Sequence, residues 1–90
     1  MNAVQASQIE SAVRAAIQPI ALLEVINESH LHAGHHGAGE GSHWRVRLVS
    51  ERLAGLTPVA RHRLVYDALR PLLAQGIHAL AIDARAPSPA

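Results

Sequence analysis

The chain has 90 residues, a formal net charge of +1 and no cysteine. Its length corresponds to one domain with a thin core, too small to enclose a deep catalytic pocket easily. The missing cysteine excludes a disulfide framework, and the small net charge excludes the strongly basic surface of an obligate nucleic-acid binder. We therefore expect a binding or adaptor module and not an enzyme.

A helix is predicted at about residues 7–18, after a flexible N-terminus of residues 1–6. Ser7 and Glu10 have the spacing of a capping box, in which the serine side chain accepts a hydrogen bond from the Glu10 backbone amide. Apolar residues then recur at helical spacing until Pro19, which ends the helix. The segment lacks the charged and apolar regions of a signal peptide, and no apolar run in the chain has membrane-spanning length. These features predict a cytoplasmic protein without membrane contact.

Two strands are predicted next, at residues 22–28 and 43–50, joined by a long loop rich in histidine and glycine. Alternating apolar residues give each strand one core-facing side, and the second strand has a polar side that contains His43, Arg45 and Arg47. The two strands should form a β-hairpin. The residues expected on the core side are Leu23, Val25, Trp44, Val46 and Leu48.

A second long helix should begin with Thr57 as N-cap and Pro58 at the first helical position. Pro71 lies inside this segment and predicts a kink or a break into two helices, because proline lacks a backbone donor. Gly76 suits the turn after the helix. A third strand follows at residues 77–83, with His78, Leu80 and Ile82 expected on one face.

The predicted order is α-β-β-α(α)-β, which belongs to the α+β class. A right-handed crossover should place the third strand parallel to a hairpin strand, giving a three-stranded mixed sheet with helices on one face. The single domain should span residues 7–83. The tail at residues 84–90 is rich in proline and alanine and is predicted to be disordered.

The chain contains seven histidines, and they are candidate metal ligands because neutral imidazole is the commonest protein ligand for metals. Five lie between the predicted hairpin strands: His30, His32, His35, His36 and His43. A flexible loop loses conformational entropy when it binds a metal, which weakens the binding. The histidines also lack the spacing of a zinc finger or a metalloprotease. His78 stands alone in an apolar run. It can be either a core residue bonded to a backbone carbonyl or a ligand at the rim of the sheet.

A second candidate site is basic. Arg61, His62 and Arg63 lie in the first turns of the second helix, where they can either contact phosphate groups or form an ordinary solvated face. Arg45 and Arg47 are further candidates for nucleic-acid contact. The sequence has no catalytic triad order and no phosphate-binding loop.

Several blocks of the sequence resemble the BolA family, in order, from about residue 20 to 87. The blocks are Asn27-Glu28-Ser29-x-x-His32, Ser42-His43-Trp44-x-Val46-x-Leu48-Val49-Ser50, Gly55, Arg61-His62-Arg63-x-Val65-Tyr66 and Ile77-His78-Ala79-Leu80. Trp44 and Leu53 depart from this pattern, since phenylalanine is usual at both positions.

The resemblance implies a fold similar to class II KH domains and a partnership, as a heterodimer, with a monothiol glutaredoxin. The two proteins would share a [2Fe–2S] cluster, with thiolates from the glutaredoxin and from bound glutathione. This chain would supply His78 and a residue of the hairpin loop, for which the family has histidine or cysteine. Here that position is His32, as in the histidine branch, and His30, His35 and His36 stay open as substitutes. The isolated chain is expected to be a monomer without a cofactor.

The resemblance also implies a second function, because some BolA-like proteins act on transcription. This alternative is a DNA-binding regulator whose contacts come from the Arg61–Arg63 helix. The residues leave open which glutaredoxin or which DNA would be the partner.

Overall fold

The computed structural model describes residues 4–29 and 43–88. Its regular elements, in chain order, are α1 (Ala6–Ala16), β1 (Leu22–Asn27), β2 (His43–Val49), a short 3-10 helix (Glu51–Leu53), α2 (Pro58–Leu73) and β3 (Ala79–Arg85). The sheet order is β1-β2-β3, with β1 antiparallel to β2 and β2 parallel to β3. The predicted α+β fold with a mixed three-stranded sheet is confirmed.

The core lies between one face of the sheet and the two helices. In β2, the buried residues Trp44, Val46 and Leu48 alternate with the exposed Arg45 and Arg47, as expected for a strand with one buried side. The helices contribute the fully buried side chains Ile9 and Val13 from α1 and Val65 and Leu69 from α2. Both helices therefore cover the same face, and within residues 4–29 and 43–88 the face with Arg45 and Arg47, which we call the open face, has no helix on it. No helix in the described ranges is long and apolar enough to cross a membrane.

Helix α1 begins earlier than predicted, because its cap is Gln5 and not Ser7. The Gln5 backbone N–H donates to Gln8 Oε1 at 2.7 Å, so the reciprocal cap uses glutamine. Val4 is buried, and Val4 and Ile9 occupy the positions of a hydrophobic staple on either side of this cap. The expectation of a flexible segment up to residue 6 is wrong for residues 4–6, and residues 1–3 lie outside the described part.

Strand β3 is shifted towards the C-terminus relative to the predicted residues 77–83. It begins at Ala79 and extends to Arg85, which pairs with Val49 in the parallel register. The Ser50 backbone N–H donates to the Arg85 carbonyl at 3.0 Å, which holds this end. The boundary of the domain at residue 83 was therefore placed too early, and the predicted disordered tail is wrong for residues 84–85.

Helix α2 begins as predicted, since Thr57 Oγ1 accepts a hydrogen bond from the Ala60 backbone N–H at 3.1 Å. The predicted break at Pro71 is wrong, because α2 continues unbroken to Leu73. Pro71 removes one hydrogen bond in the last turn only, and the next residue, Leu72, is buried in the core. Gly76 then has a φ of +134°, which glycine adopts readily, at the turn into β3.

Candidate functional site

Two histidines meet at one end of the sheet. His43 is the first residue of β2 and pairs in register with Ala79, so His78 lies one residue before the start of β3. The two ring centroids are 6.4 Å apart and the ring planes differ by 14°. We call this end of the sheet, defined by Asn27, Ser29, His43 and His78, the histidine edge.

His78 is exposed at this edge, while its neighbour Ile77 is buried. His78 precedes β3, so it lies outside the strand on which it was predicted to share a face with Leu80 and Ile82. Leu80 and Ile82 pack against the core, and Ile77 fills the core before the strand begins. The His78 imidazole is therefore accessible to a ligand or a partner and is not a core residue.

The residues that flank segment 30–42 are hydrogen-bonded to each other at the histidine edge. The His43 backbone N–H donates to Ser29 Oγ at 3.1 Å, and the Ser29 backbone N–H donates to Asn27 Oδ1 at 2.9 Å. The Glu28 backbone N–H donates to the His43 carbonyl at 2.8 Å. The candidate ligands in between, His30, His32, His35 and His36, lie outside the described residues, so their role stays a prediction.

The histidine edge can supply imidazoles but not a complete metal site. Among residues 4–29 and 43–88, no group of three histidine, cysteine, aspartate or glutamate side chains could hold a metal ion. Structural metal sites usually have four protein ligands. The donor set at the edge therefore fits a half-site, which needs further ligands from outside the described residues.

The two candidate arginines on the open face of the sheet have carboxylate partners. Arg45 Nε lies 2.8 Å from Glu28 Oε2, and Arg47 lies 3.1 Å from Glu24 and 3.9 Å from Asp83. The hydrogen bond from Arg45 to Glu28, together with the charge of that carboxylate, raises the pKa of Arg45 above its ordinary value. Each of these guanidinium groups therefore has a carboxylate partner that offsets part of its positive charge, and their contact with nucleic acid stays a prediction.

The outer side of α2 forms a second surface. His62 stacks on Tyr66 with ring centroids 6.0 Å apart, and the Arg70 guanidinium lies 5.7 Å from the Tyr66 ring centre. Together with Val59, which is 66% exposed, these residues line an open groove of about 610 Å³. We call it the α2 groove. Arg63 lines it as well.

Sequence reasoning missed Val59, Tyr66 and Arg70 as members of the α2 groove. The available signal was the spacing of four residues from His62 to Tyr66 and from Tyr66 to Arg70, which places the side chains on one helix face. The Arg61 side chain is bonded to the backbone of the preceding loop, because its Nε donates to the Leu56 carbonyl at 3.0 Å.

The five predicted nucleic-acid contacts do not form one surface. Arg61, His62 and Arg63 belong to α2, which covers the core face of the sheet. Arg45 and Arg47 extend from the opposite, open face. The two sets therefore lie on opposite sides of the sheet, and which of them contacts nucleic acid stays a prediction.

The sequence matches the family described as BolA-like protein over residues 13–89. It is 53% identical over 74 residues to the DNA-binding transcriptional regulator BolA of Vibrio cholerae, a match that covers 82% of this chain and 67% of the relative. It is 44% identical over 86 residues to BolA-like protein 1 of Mus musculus, and the match covers 92% of this chain but only 61% of the mouse protein.

The fold is also shared with solved structures. The BolA domain of SufE1 from Arabidopsis thaliana superposes with a TM-score of 0.82 at 36% identity, covering 97% of this chain and 96% of that chain. The resemblance read from the sequence blocks is confirmed by these matches in both sequence and fold.

Proposed function

Because the chain belongs to the BolA-like family, we propose that it is an adaptor that pairs with a monothiol glutaredoxin and supplies histidine ligands to a shared [2Fe–2S] cluster. The role would be iron–sulfur cluster trafficking or iron homeostasis. The observation that carries this proposal is the exposed His78 at the edge where Ser29 and His43, which flank segment 30–42, are hydrogen-bonded to each other. A partner that approaches this edge meets an exposed imidazole directly before the first residue of β3.

His32 is within reach of His78 on covalent geometry. His32 follows Ser29 by three residues, and a span of that length reaches at most about 11 Å. Ser29 is hydrogen-bonded to His43, whose ring centroid is 6.4 Å from that of His78. His30 is closer to Ser29 in the sequence and can reach His78 by the same argument. His35 and His36 can reach it through a longer stretch of chain, so all three remain substitutes for His32.

The donor set suits a shared cluster. Two imidazoles would bind one iron, and thiolates from glutaredoxin and glutathione would bind the other, a mixed ligation that raises the reduction potential. The chain's own contribution is orientation: His78 directly precedes Ala79, which pairs with His43 in the sheet, and Ser29, the last described residue before segment 30–42, is bonded to the His43 backbone N–H. We propose no catalytic residue, since a relative is named as a DNA-binding regulator and not as an enzyme.

The partnership is tested by mixing the chain with cluster-loaded monothiol glutaredoxin and following size-exclusion elution at the absorption of the cluster. We expect a one-to-one complex that retains the cluster. Glutaredoxin without cluster serves as the control and should bind more weakly, because the bridging ligands are missing. Separate elution of the two proteins with the cluster still on glutaredoxin would contradict the proposal.

A second function is favoured by the α2 groove, where Arg63 lies near the exposed Tyr66 and where Arg70 is paired with Asp67. The relative from Vibrio cholerae is named as a DNA-binding regulator. We propose DNA contact through this surface as the alternative function. Phosphate contacts release counterions, so the logarithm of the affinity should fall linearly with the logarithm of salt concentration.

Arg63→Ala separates this alternative from nonspecific attraction. We expect the substitution to reduce the salt slope of DNA binding by about one, as for the loss of one phosphate contact. Arg45→Ala is the matched control and should leave the slope unchanged, since Arg45 is paired with Glu28. The measurement is fluorescence anisotropy of labelled duplex DNA at several salt concentrations. An affinity that does not depend on salt, or equal slopes for all three proteins, would exclude the α2 groove.

A further inference from the structure

We propose that the outer edge of β3 is a docking site for an extended acidic peptide segment of a partner protein, which adds to the sheet as a further strand. The site is centred on residues 82–85, at the other end of β3 from the histidine edge. It goes beyond the proposed function, because it needs neither a metal nor the glutaredoxin partnership.

The edge of β3 that faces away from β2 offers backbone hydrogen-bonding groups. The Arg85 carbonyl accepts from the Ser50 N–H at 3.0 Å, so the Arg85 backbone faces β2. The backbone groups of successive residues in a strand point to opposite edges, so those of Ile82 and Ala84 face outward. Within residues 4–29 and 43–88, no strand pairs with this outer edge. Such an edge is a template for pairing with another chain.

Helix α2 runs beside this edge and forms the second wall of a pocket of about 290 Å³. Pro58, Arg61 and His62 line the pocket from α2, and residues 82–85 line it from β3. When a peptide adds to a sheet edge, main-chain hydrogen bonds provide affinity and pockets for alternate side chains provide specificity. Both features occur together here.

The charges of the pocket favour an acidic occupant. Arg61 Nε donates to the Leu56 carbonyl at 3.0 Å, which anchors the side chain through one N–H group and leaves the terminal nitrogens for a carboxylate. Asp83, the acidic residue of the lining, already lies 2.8 Å from Arg85 and 3.9 Å from Arg47. Positive charge therefore exceeds negative charge around the pocket.

The outer edge of β3 fits a peptide better than a nucleic acid. Its outward groups are N–H donors and C=O acceptors side by side, and a peptide backbone carries both kinds. The phosphate groups of a nucleic acid only accept hydrogen bonds, so they would leave the outward carbonyls of β3 without partners. Pro58 and Ile82 also give the pocket an apolar part, which suits an apolar side chain next to the acidic one.

The test uses the full ¹⁵N-labelled chain and a short synthetic peptide of alternating valine and glutamate, blocked at both ends. Binding is followed by NMR chemical shifts, together with the solvent exchange of the Ile82 and Ala84 amides. We expect saturable shifts centred on residues 80–85 and slower exchange of these two amides. Arg61→Gln should weaken binding by at least about tenfold, as for the loss of one charge-assisted hydrogen bond. Arg14→Gln removes an equal charge from the exposed side of α1 and should leave the affinity unchanged.

Two altered peptides separate strand addition from charge attraction without any protein variant. A peptide with lysine in place of glutamate, and one N-methylated at alternate backbone positions, should each bind at least about tenfold more weakly. Equal affinity of the N-methylated peptide, no saturable shifts with the parent peptide, or unchanged exchange of the Ile82 and Ala84 amides in the complex would overturn the proposal. Shifts at residues 80–85 with single-stranded DNA but not with the peptide would assign the site to nucleic acid and overturn it as well.

Discussion

Trp44→Ala is expected to lower the free energy of unfolding by about 3–5 kcal/mol, the range for truncating a buried aromatic residue. Trp44 is 3% exposed and lies between Asn27 and Leu80 in the middle strand. Domains of this kind are stable by about 5–15 kcal/mol, so the loss is a large part of the total. Urea denaturation followed by circular dichroism measures it, because the substitution removes the chain's one tryptophan.

Two further variants test the cause of this loss. Trp44→Phe keeps an aromatic ring in the core, so it should destabilise less than Trp44→Ala. Val59→Ala truncates an apolar residue that is 66% exposed, and its effect should stay within about 0.5 kcal/mol. Equal stability of Trp44→Ala and Val59→Ala would show that the middle strand does not organise the core.

His78→Ala is expected to weaken the cluster-bridged complex with glutaredoxin by at least about 100-fold, since changes in even the supporting shell of a metal site cost about 10–100-fold. The fold should persist, because His78 is exposed and precedes β3. Titration of cluster-loaded glutaredoxin with each variant, followed by visible absorption and circular dichroism, gives the affinity.

His32→Ala should have a smaller effect than His78→Ala, because other histidines can substitute for it. His62→Ala is the matched control on α2 and should leave the affinity unchanged. A double variant lacking His78 and His32 that retains the spectrum and affinity of the parent chain would show that the ligand assignment is wrong.

The strand pattern of the fold was predictable because it depends on local alternation. Trp44, Val46 and Leu48 appear at every second position and are buried as expected. The ends of the elements were less predictable, because they depend on distant contacts. Arg85 remains in β3 through Ser50, which is far away in sequence, and Pro71 stays helical because the core holds the following Leu72.

The candidate site was predictable in its residue types but not in its arrangement. The sequence indicated His78 as a rim ligand, yet its exposure depends on where β3 begins. The pairing of Arg45 with Glu28 depends on the register between β1 and β2, which the sequence did not fix in advance. The contact between His43 and His78 likewise requires β2 and β3 to be neighbours, so neither spacing nor composition could reveal it.

The ligands of the shared cluster can be identified directly by pulsed electron paramagnetic resonance. The chain is labelled with ¹⁵N-histidine, combined with unlabelled cluster-loaded glutaredoxin, and the complex is reduced by one electron. Our account predicts strong nitrogen couplings that change with the label on this chain, one of which disappears in His78→Ala. A reduced cluster in the complex without couplings from the labelled histidines would mean that this chain supplies no imidazole ligand, and the account would be wrong.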